Sequence, residues 1–475
     1  MSLVRRHLVV CVLLVFGVVL RVLVTVAYRP ANFYPDSAGY LLNARFLRPF
    51  PQRPFGYPAY LRLVLDAFPL GAVPIIQHLL VLAAAIALYA LALRAGIRPW
   101  LAAIAVAPLL LDAYLLAMEQ YILSDVLFIV LVVAALCVLV WPRSGLNPGW
   151  CFLAGLLLGY ACLVRTSGAP LLAVIGLYAV ARSGTWRQRT ARLLAVALAG
   201  IGPLAVYAVW SKERIGTFSI SQYSGAFLYG RVAPFADCSG LDLPPRERAM
   251  CPTVPVAERP SGDAYTWSPS FGAAHFVREY GPIKANHLLK DFSVRIIKYQ
   301  PGTYLDAALS DIWHGYAPTH STRPGDVTER YSTFTLASPG SNPKFFTRRY
   351  GGGKPVIVKA LGRFLRGYQR FGYLPGTAIA ILIVVCLAAM LDPRSYVRRW
   401  RAPQGDPATL RRLRVDCALL CLAAIVLVWP GSFATGFTWR YIVPEVVLIP
   451  SAAALALTYF VPGLRLRTPD SQRDA

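Results

Sequence analysis

One aspartate and three arginines stand at the ends of apolar runs, where a charged side chain is costly and seldom idle. Asp36 lies in Phe33-Tyr34-Pro35-Asp36-Ser37-Ala38-Gly39-Tyr40, just after the first long apolar stretch. Arg53 opens the turn Arg53-Pro54-Phe55-Gly56-Tyr57-Pro58. Arg165 sits in Leu163-Val164-Arg165-Thr166-Ser167-Gly168, and Arg440 in Thr438-Trp439-Arg440-Tyr441 ahead of Pro444 and Glu445. A positioned carboxylate can take a proton from a hydroxyl or hold that hydroxyl in line for attack. A guanidinium stays charged, and its planar fork fits phosphate oxygens. A phosphate at a membrane surface belongs most naturally to a lipid carrier. Plainer roles compete. Pro-Asp-Ser before a helical run is also an N-cap pattern, Arg165 also fits a side chain snorkelling to the surface, and Arg440 fits interfacial anchoring beside Trp439 and Tyr441.

A second acidic group follows in Asp112-Ala113-Tyr114-Leu115-Leu116-Ala117-Met118-Glu119-Gln120-Tyr121-Ile122-Leu123-Ser124-Asp125. Asp112 and Glu119 are seven residues apart and would share a helical face. Ser124-Asp125 opens the next apolar run as a cap, and capping alone would account for Asp125. Arg21, inside the first apolar run, needs a partner, and Asp112 or a bound phosphate would serve. His78 fits a packing role, and Glu445 a pairing with an arginine.

The elements that must position these groups are membrane spans. Of 475 residues, 56% are hydrophobic and only 15% charged, and mean hydropathy is +0.50. A soluble chain of this size carries more charge. Ten apolar runs fit spans, at roughly 7–27, 71–93, 99–117, 125–141, 149–163, 169–182, 193–210, 373–391, 416–432 and 441–462. No small-residue cleavage site follows the first run, which is expected to be a retained helix. The net charge of +25 invites a nucleic-acid reading, but its distribution excludes one. Arginines gather in alternate short segments: 94 and 98; 182, 187, 189 and 192; 394, 398, 399, 401, 411, 412 and 414; 465 and 467. That is the positive-inside pattern, with anionic lipid headgroups as a further partner. It places both termini in the cytoplasm of a multi-pass plasma-membrane protein.

The expected fold is an all-α polytopic membrane protein of about ten transmembrane helices. Residues 1–210 form an N-terminal membrane module, 211–372 a mixed outward domain, 373–464 a C-terminal membrane module and 465–475 a cytoplasmic tail. In the first outward loop, 28–70, residues 37–47 and 58–68 have the spacing of short helices lying on the membrane. The runs 149–163 and 169–182 look like a hairpin with Arg165 near its tip. Within the outward domain, helices are expected near 283–299 and 304–313. Seven of the nine cysteines lie in or beside apolar runs, whereas Cys238 and Cys251 share the outward domain, where a disulfide is expected. No cysteine or histidine spacing suggests a metal site.

Together these residues resemble the GT-C superfamily of membrane glycosyltransferases, nearest the branch of family 39 protein mannosyltransferases and lipid A aminoarabinose transferases. The resemblance rests on Tyr34-Pro35-Asp36-Ser37, the Arg53 to Pro58 turn, Ser124-Asp125, Gly155 and Gly159 leading to Arg165-Thr166-Ser167-Gly168, and Arg440-Tyr441 with Pro444. It covers about 1–210 and 373–462, and the arginine bias suits a high-GC actinobacterial genome. It implies inverting transfer of a sugar from a polyprenyl-phosphate carrier to an envelope glycan, lipid or protein at the outer membrane face, with no cofactor beyond the donor. It implies Asp36 as catalytic, Asp125 as a second acidic residue, and Arg165 and Arg440 as donor-phosphate ligands. Glu119, a carboxylate at membrane depth, is a further catalytic candidate on its own chemistry, and Arg53, Tyr57 and Tyr441 are further substrate-binding candidates. Ser37 stands where protein mannosyltransferases carry a second acidic residue, which weakens a protein acceptor. No DxD arrangement supports a metal. Two other readings are a transporter or flippase of a lipid-linked glycan and a non-catalytic scaffold. The first predicts paired half-repeats and mid-membrane ionisable groups, and the sequence shows no internal repeat.

Overall fold

The computed structural model describes residues 3–143, 145–323, 326, 333–337, 343–392 and 406–466. Arg394, Arg398, Arg399, Arg401, Arg467 and the tail beyond 466 lie outside the described residues. The chain is an all-α polytopic membrane protein. The first helix, α1 (Leu3–Ala27), is followed by α2 (Ser37–Phe46) and α3 (Gly56–Ala67) in the first loop. Then come α4 (Ala72–Arg94), α5 (Pro99–Leu111), α6 (Ala113–Glu119), α7 (Ser124–Val140), α8 (Pro148–Val164), α9 (Ala169–Ala181) and α10 (Trp186–Ile215). The polar segment holds α11 (Ser224–Val232), α12 (Pro245–Arg248), α13 (Gly262–Trp267), α14 (Ala273–Tyr280), α15 (Pro282–Tyr299), α16 (Pro301–Gly315), α17 (Pro343–Tyr350) and α18 (Lys359–Gln369). The apolar helices α19 (Gly376–Leu391), α20 (Pro407–Ala434) and α21 (Val443–Phe460) close the chain. One two-residue pairing, β1 (Tyr28–Arg29) with β2 (Val356–Ile357), is antiparallel.

Among the described residues, α1, α4, α10, α20 and the run ending in α21 are long and apolar enough to cross a membrane. The α5–α6 pair makes a sixth if its 51° bend is counted as one span. The bend replaces the straight run expected over 99–117. Asp112 has an extended backbone, and its Oδ1 accepts from the N–H groups of Tyr114 and Leu115, ending α5 and capping α6. Asp112 and Glu119 therefore stand at the two ends of the short α6, Asp112 as its cap and Glu119 as its last residue. The helices at the other expected positions, α7, α8, α9 with its leading turn, and α19, hold 16 or 17 residues. Each rises roughly 25 Å, a little under the hydrocarbon thickness of about 30 Å.

α21 is buried almost all round and forms the centre of the bundle, whereas α1 turns Val15, Phe16, Val19 and Val22 outward. α8 and α10 cross at close range. A Cβ on Gly159 would stand 2.7 Å from the Gly200 carbonyl oxygen, so only glycine permits this approach. A second core forms in the polar segment, where Phe292, Leu289 and Ile296 of α15 pack against Tyr229 of α11. Cys238 and Cys251, beside this core, are disulfide-bonded. Basic residues meet backbone at one end of the bundle: Arg412 donates to Arg143 O, Arg411 to Ala181 O, and Ile97 pairs with Arg465.

Arg21 finds neither Asp112 nor an open site. Its Nε and Nη2 grip Glu119 at 2.9 and 2.7 Å, and its other bonds reach the carbonyls of Gly17, Leu109 and Leu110. His78 Nδ1 lies 2.6 Å from the same carboxylate. Glu445 pairs with Tyr316 at 2.8 Å instead of with an arginine. Removing one partner of a buried ion pair strands the other, at a cost of about 3–5 kcal/mol. Glu119→Ala is expected to lower the thermal midpoint of the detergent-solubilised protein by several degrees. Asp66→Ala, which breaks the exposed Arg62–Asp66 pair, should cost at most about 1 kcal/mol. Equal midpoints for the two variants would contradict the burial argument.

Candidate active site

The bundle end opposite the arginine-rich contacts opens into a cavity of about 1300 Å³. Its floor is set by a join between the first loop and the turn ahead of α7. Asn32 N donates to Gln120 O at 2.9 Å, and Ile122 N to Asn32 O at 3.0 Å. Ser37, the residue in place of a second acid, accepts from Tyr34 N and donates to Ile122 O, both at 2.8 Å. Gln77 reaches in from α4 to bond the carbonyls of Glu119 and Tyr121. With these backbone groups paired inside the protein, the start of α2 and the start of α7 are held side by side.

Asp36 occupies the N-cap position of α2 and makes no capping hydrogen bond. Its Oδ1 lies 2.6 Å from Arg53 Nη2, and its Oδ2, which accepts no hydrogen bond, has Arg440 Nη1 at 3.8 Å. Asp125 does not cap either. Leu123 holds the cap position of α7, and Asp125 pairs with Arg165 Nη1 at 2.5 Å. Both capping alternatives fail for the same reason: the carboxylates are turned toward arginines from other elements. Arg53 also donates to the Tyr40 hydroxyl at 3.0 Å, which shares a hydrogen bond with Ser124 Oγ at 3.0 Å. Burial disfavours charge on Arg53, yet Asp36 and then Tyr40 more than offset it and raise its pKa above the ordinary value. Burial raises the Tyr34 phenol well above its usual range, so it stays neutral beneath Arg440, whose guanidinium lies 4.6 Å from the ring. Tyr441 lies between two cations, 5.3 Å from Arg440 and 5.8 Å from Arg165.

Asp36, Arg53, Asp125, Arg165, Arg440 and Tyr441 all line this one cavity. Two other predicted residues do not. Glu119 is fully buried between Arg21 and His78, outside the lining. Tyr57 is also fully buried. It donates to Gln77 at 2.9 Å and supports Tyr40 edge-on at 4.9 Å, so it braces the site from behind. Gly56 beside it could carry no side chain, because a Cβ would come within 2.5 Å of the Leu163 carbonyl just ahead of Arg165.

The cavity has two unlike walls. Toward the bundle it is apolar, with Phe128, Ile129, Val164, Ile201, Leu204 and Leu427. Toward the polar segment it is mixed, with Ser219, Ser221, Ser224, Asp263, Thr266 and Trp267 among Phe218, Ile220 and Phe227. No sequence signal singled out this second wall, because it comes from short helices and turns with no charge pattern of their own. Asp263 is the notable omission. Burial among protein groups raises its pKa, Arg440 counters that, and Asp36 adds to it, so the two sides of the cavity are in electrostatic contact.

Residues 68–196, just over a quarter of the chain, match the family model described as dolichyl-phosphate-mannose-protein mannosyltransferase. The matched stretch contains Asp125 and Arg165 and stops short of Asp36, Arg53 and Arg440. It supports a membrane glycosyltransferase of the GT-C superfamily. No curated protein matches the chain.

His320 was also invisible in the sequence. Its ring stacks on Trp439, next to Arg440, at 3.9 Å, with Tyr114 at 4.1 Å and Tyr373 at 4.6 Å. Both ring nitrogens are buried without a hydrogen bond, and burial, then the nearby His314, pushes its pKa down to about 3. The folded protein holds this ring neutral while the unfolded chain protonates near pH 6.5. The stabilisation is thus complete above about pH 6.5 and declines as pH falls from there toward 3, by roughly 2 kcal/mol at pH 5. His320→Phe keeps the stack and removes the titration. Thermal midpoints measured between pH 7.5 and 5 should fall less steeply in this variant than in the wild type.

Proposed function

We propose that the protein is an inverting glycosyltransferase that moves a sugar from a polyprenyl-phosphate carrier to an envelope acceptor at the outer membrane face. The carrying observation is Asp36. Its Oδ2 accepts no hydrogen bond, it sits between two arginines, and it lines a cavity with one apolar and one mixed wall. The apolar wall suits a prenyl chain. Arg440 and Arg165 are the phosphate ligands, Arg440 being the less committed because its closest acidic atom is 3.8 Å away. The family match supports the donor class. The disulfide supports an outward compartment for the polar segment.

The acceptor hydroxyl oxygen attacks the anomeric carbon from the side away from the phosphate. A new carbon–oxygen bond forms as the sugar–phosphate bond breaks, and the configuration inverts. The hydroxyl proton passes to Asp36 and then to water, while the electron pair leaves on the polyprenyl phosphate. Arg440 and Arg165 stabilise the charge that grows on that phosphate. Arg53 holds Asp36 by one oxygen and leaves the other for the acceptor. Asp125 fixes Arg165. Glu119 has no part in the reaction.

General-base loss costs about 10²–10⁴-fold. Asp36→Asn in nanodiscs supplied with polyprenyl-phosphate mannose and an envelope glycan fraction should lose at least about 100-fold in turnover while remaining folded at the assay temperature. Full turnover would rule out the assigned chemistry. Arg440→Lys keeps the charge and loses the fork. It should raise the donor KM about tenfold or more. Donor translocation without transfer by the wild type would favour a flippase instead.

A further inference from the structure

Three aspartates and three arginines line the cavity. Two of the aspartates are taken: Asp36 by Arg53 at 2.6 Å and Asp125 by Arg165 at 2.5 Å. Among the described residues Asp263 forms no ion pair, and its side chain is exposed to the cavity. Beside it stands Trp267, whose ring is stacked on Tyr223 at 5.6 Å and met edge-on by Phe227 at 5.9 Å. Aromatic packing on two sides holds one orientation of the indole next to the space. Ser219 Oγ is buried on the same wall and has no hydrogen-bond partner. The wall is tied down where it meets the charged centre. Gln222 N donates to Pro51 O at 2.7 Å and Ser221 Oγ to Gln52 O at 3.2 Å, next to Arg53.

We infer that this wall is a saccharide-binding subsite, in which the Asp263 carboxylate accepts hydrogen bonds from ring hydroxyls and the Trp267 indole packs against the apolar face of a sugar ring. As the site of the acceptor it rests on the glycosyltransferase reading; as a saccharide site it stands on the wall alone. Charge separates the two ligands. The carrier phosphate belongs with the cations Arg440 and Arg165, and a neutral hydroxyl-rich molecule belongs with Asp263, whose carboxylate accepts a hydrogen bond from Trp267 and keeps acceptor capacity for ring hydroxyls. A peptide fits less well. Strand addition at an exposed sheet edge, one common mode of peptide binding, is not offered here: among the described residues the only paired strands are the two-residue β1 and β2, which are not in the cavity lining. The wall presents side-chain hydroxyls, one carboxylate and an indole among the apolar Phe218, Ile220 and Phe227, a set matched to ring hydroxyls and ring faces.

Saturation-transfer NMR on the full chain in nanodiscs tests this, with short oligosaccharides of mannose, galactose, glucose and arabinose as probes and a threonine-rich peptide as control. At least one oligosaccharide should receive saturation from the wild type. Asp263→Ala and Trp267→Ala should each weaken its binding about 10- to 100-fold, with Asp263→Asn intermediate and thermal midpoints of all three close to the wild type. If a variant unfolds, the milder Asp263→Asn and Trp267→Phe carry the comparison. Absence of binding by every oligosaccharide, unchanged affinity in the folded variants, or peptide binding that depends on Asp263 each overturns the inference. Asp36→Asn separates the two readings. Full transfer by that variant removes the proposed chemistry and leaves saccharide binding at Asp263 to stand or fall by its own measurement.

Discussion

A carboxylate at the edge of an apolar bundle needs cations or hydrogen-bond donors in place of the water it has lost. Asp36 meets that condition with Arg53 from its own loop and Arg440 from the far end of the chain. The arrangement explains several features at once. The first loop must fold back so that Arg53 reaches Asp36. The last two apolar helices must return to the first so that Arg440 can approach. Tyr34 must stay neutral, because a phenolate beneath Arg440 would compete with Asp36 for the same cation. Asp125 and Arg165 repeat the solution across the cavity, between α7 and the turn after α8. Each carboxylate therefore has a cation from an element distant in sequence beside it, and the cavity exists only where those elements meet.

The buried Arg21–Glu119–His78 cluster obeys the same rule with a different outcome. Here the carboxylate is met on both oxygens, by Arg21 and His78, and it is sealed from the cavity. Its contribution to the site is mechanical. Glu119 ends α6, and the next residues, Gln120 to Ile122, are those bonded to the first loop. The cluster pins α1, α4 and α6 together directly behind the join that aligns Asp36 with Asp125. Two acidic residues six apart in sequence, Glu119 and Asp125, thus have separate duties, one in the frame and one at the cavity.

Much of the charged centre was legible because cost is visible in a sequence. Asp36, Asp125, Arg165 and Arg440 stood out as charges flanking apolar runs, and the structure brings them to one cavity. The same criterion misled at Glu119, since cost alone does not distinguish a group that reacts from one that is neutralised. Arg21 carried the opposing signal: a cation inside the first apolar run calls for a carboxylate, and Glu119 is the one the fold brings to it. Tyr57 misled because it belongs to a loop motif whose neighbours line the cavity, while its own side chain faces the protein. The break at Asp112 was hidden because a capping aspartate and an embedded one look alike until the backbone turns.

The wall carrying Asp263 and Trp267 was illegible for a deeper reason. Apolar periodicity reports burial within one element, and charge beside an apolar run reports a membrane boundary. Short helices in a polar segment give neither signal, and their position over the cavity is set by long-range packing: Tyr304 of α16 bonds Phe433 O near the end of α20, and Arg231 pairs with Asp311 between α11 and α16. The first seats the polar segment on the end of α20 just ahead of Arg440, and the second braces the segment internally. A membrane module alone would leave Asp36 and its arginines facing an open surface on that side. With the segment in place, Asp36, Asp125 and their arginines lie between the apolar wall of the bundle and the mixed wall that carries Asp263 and Trp267. The polar segment is therefore as much a part of the site as the helices that supply its charges.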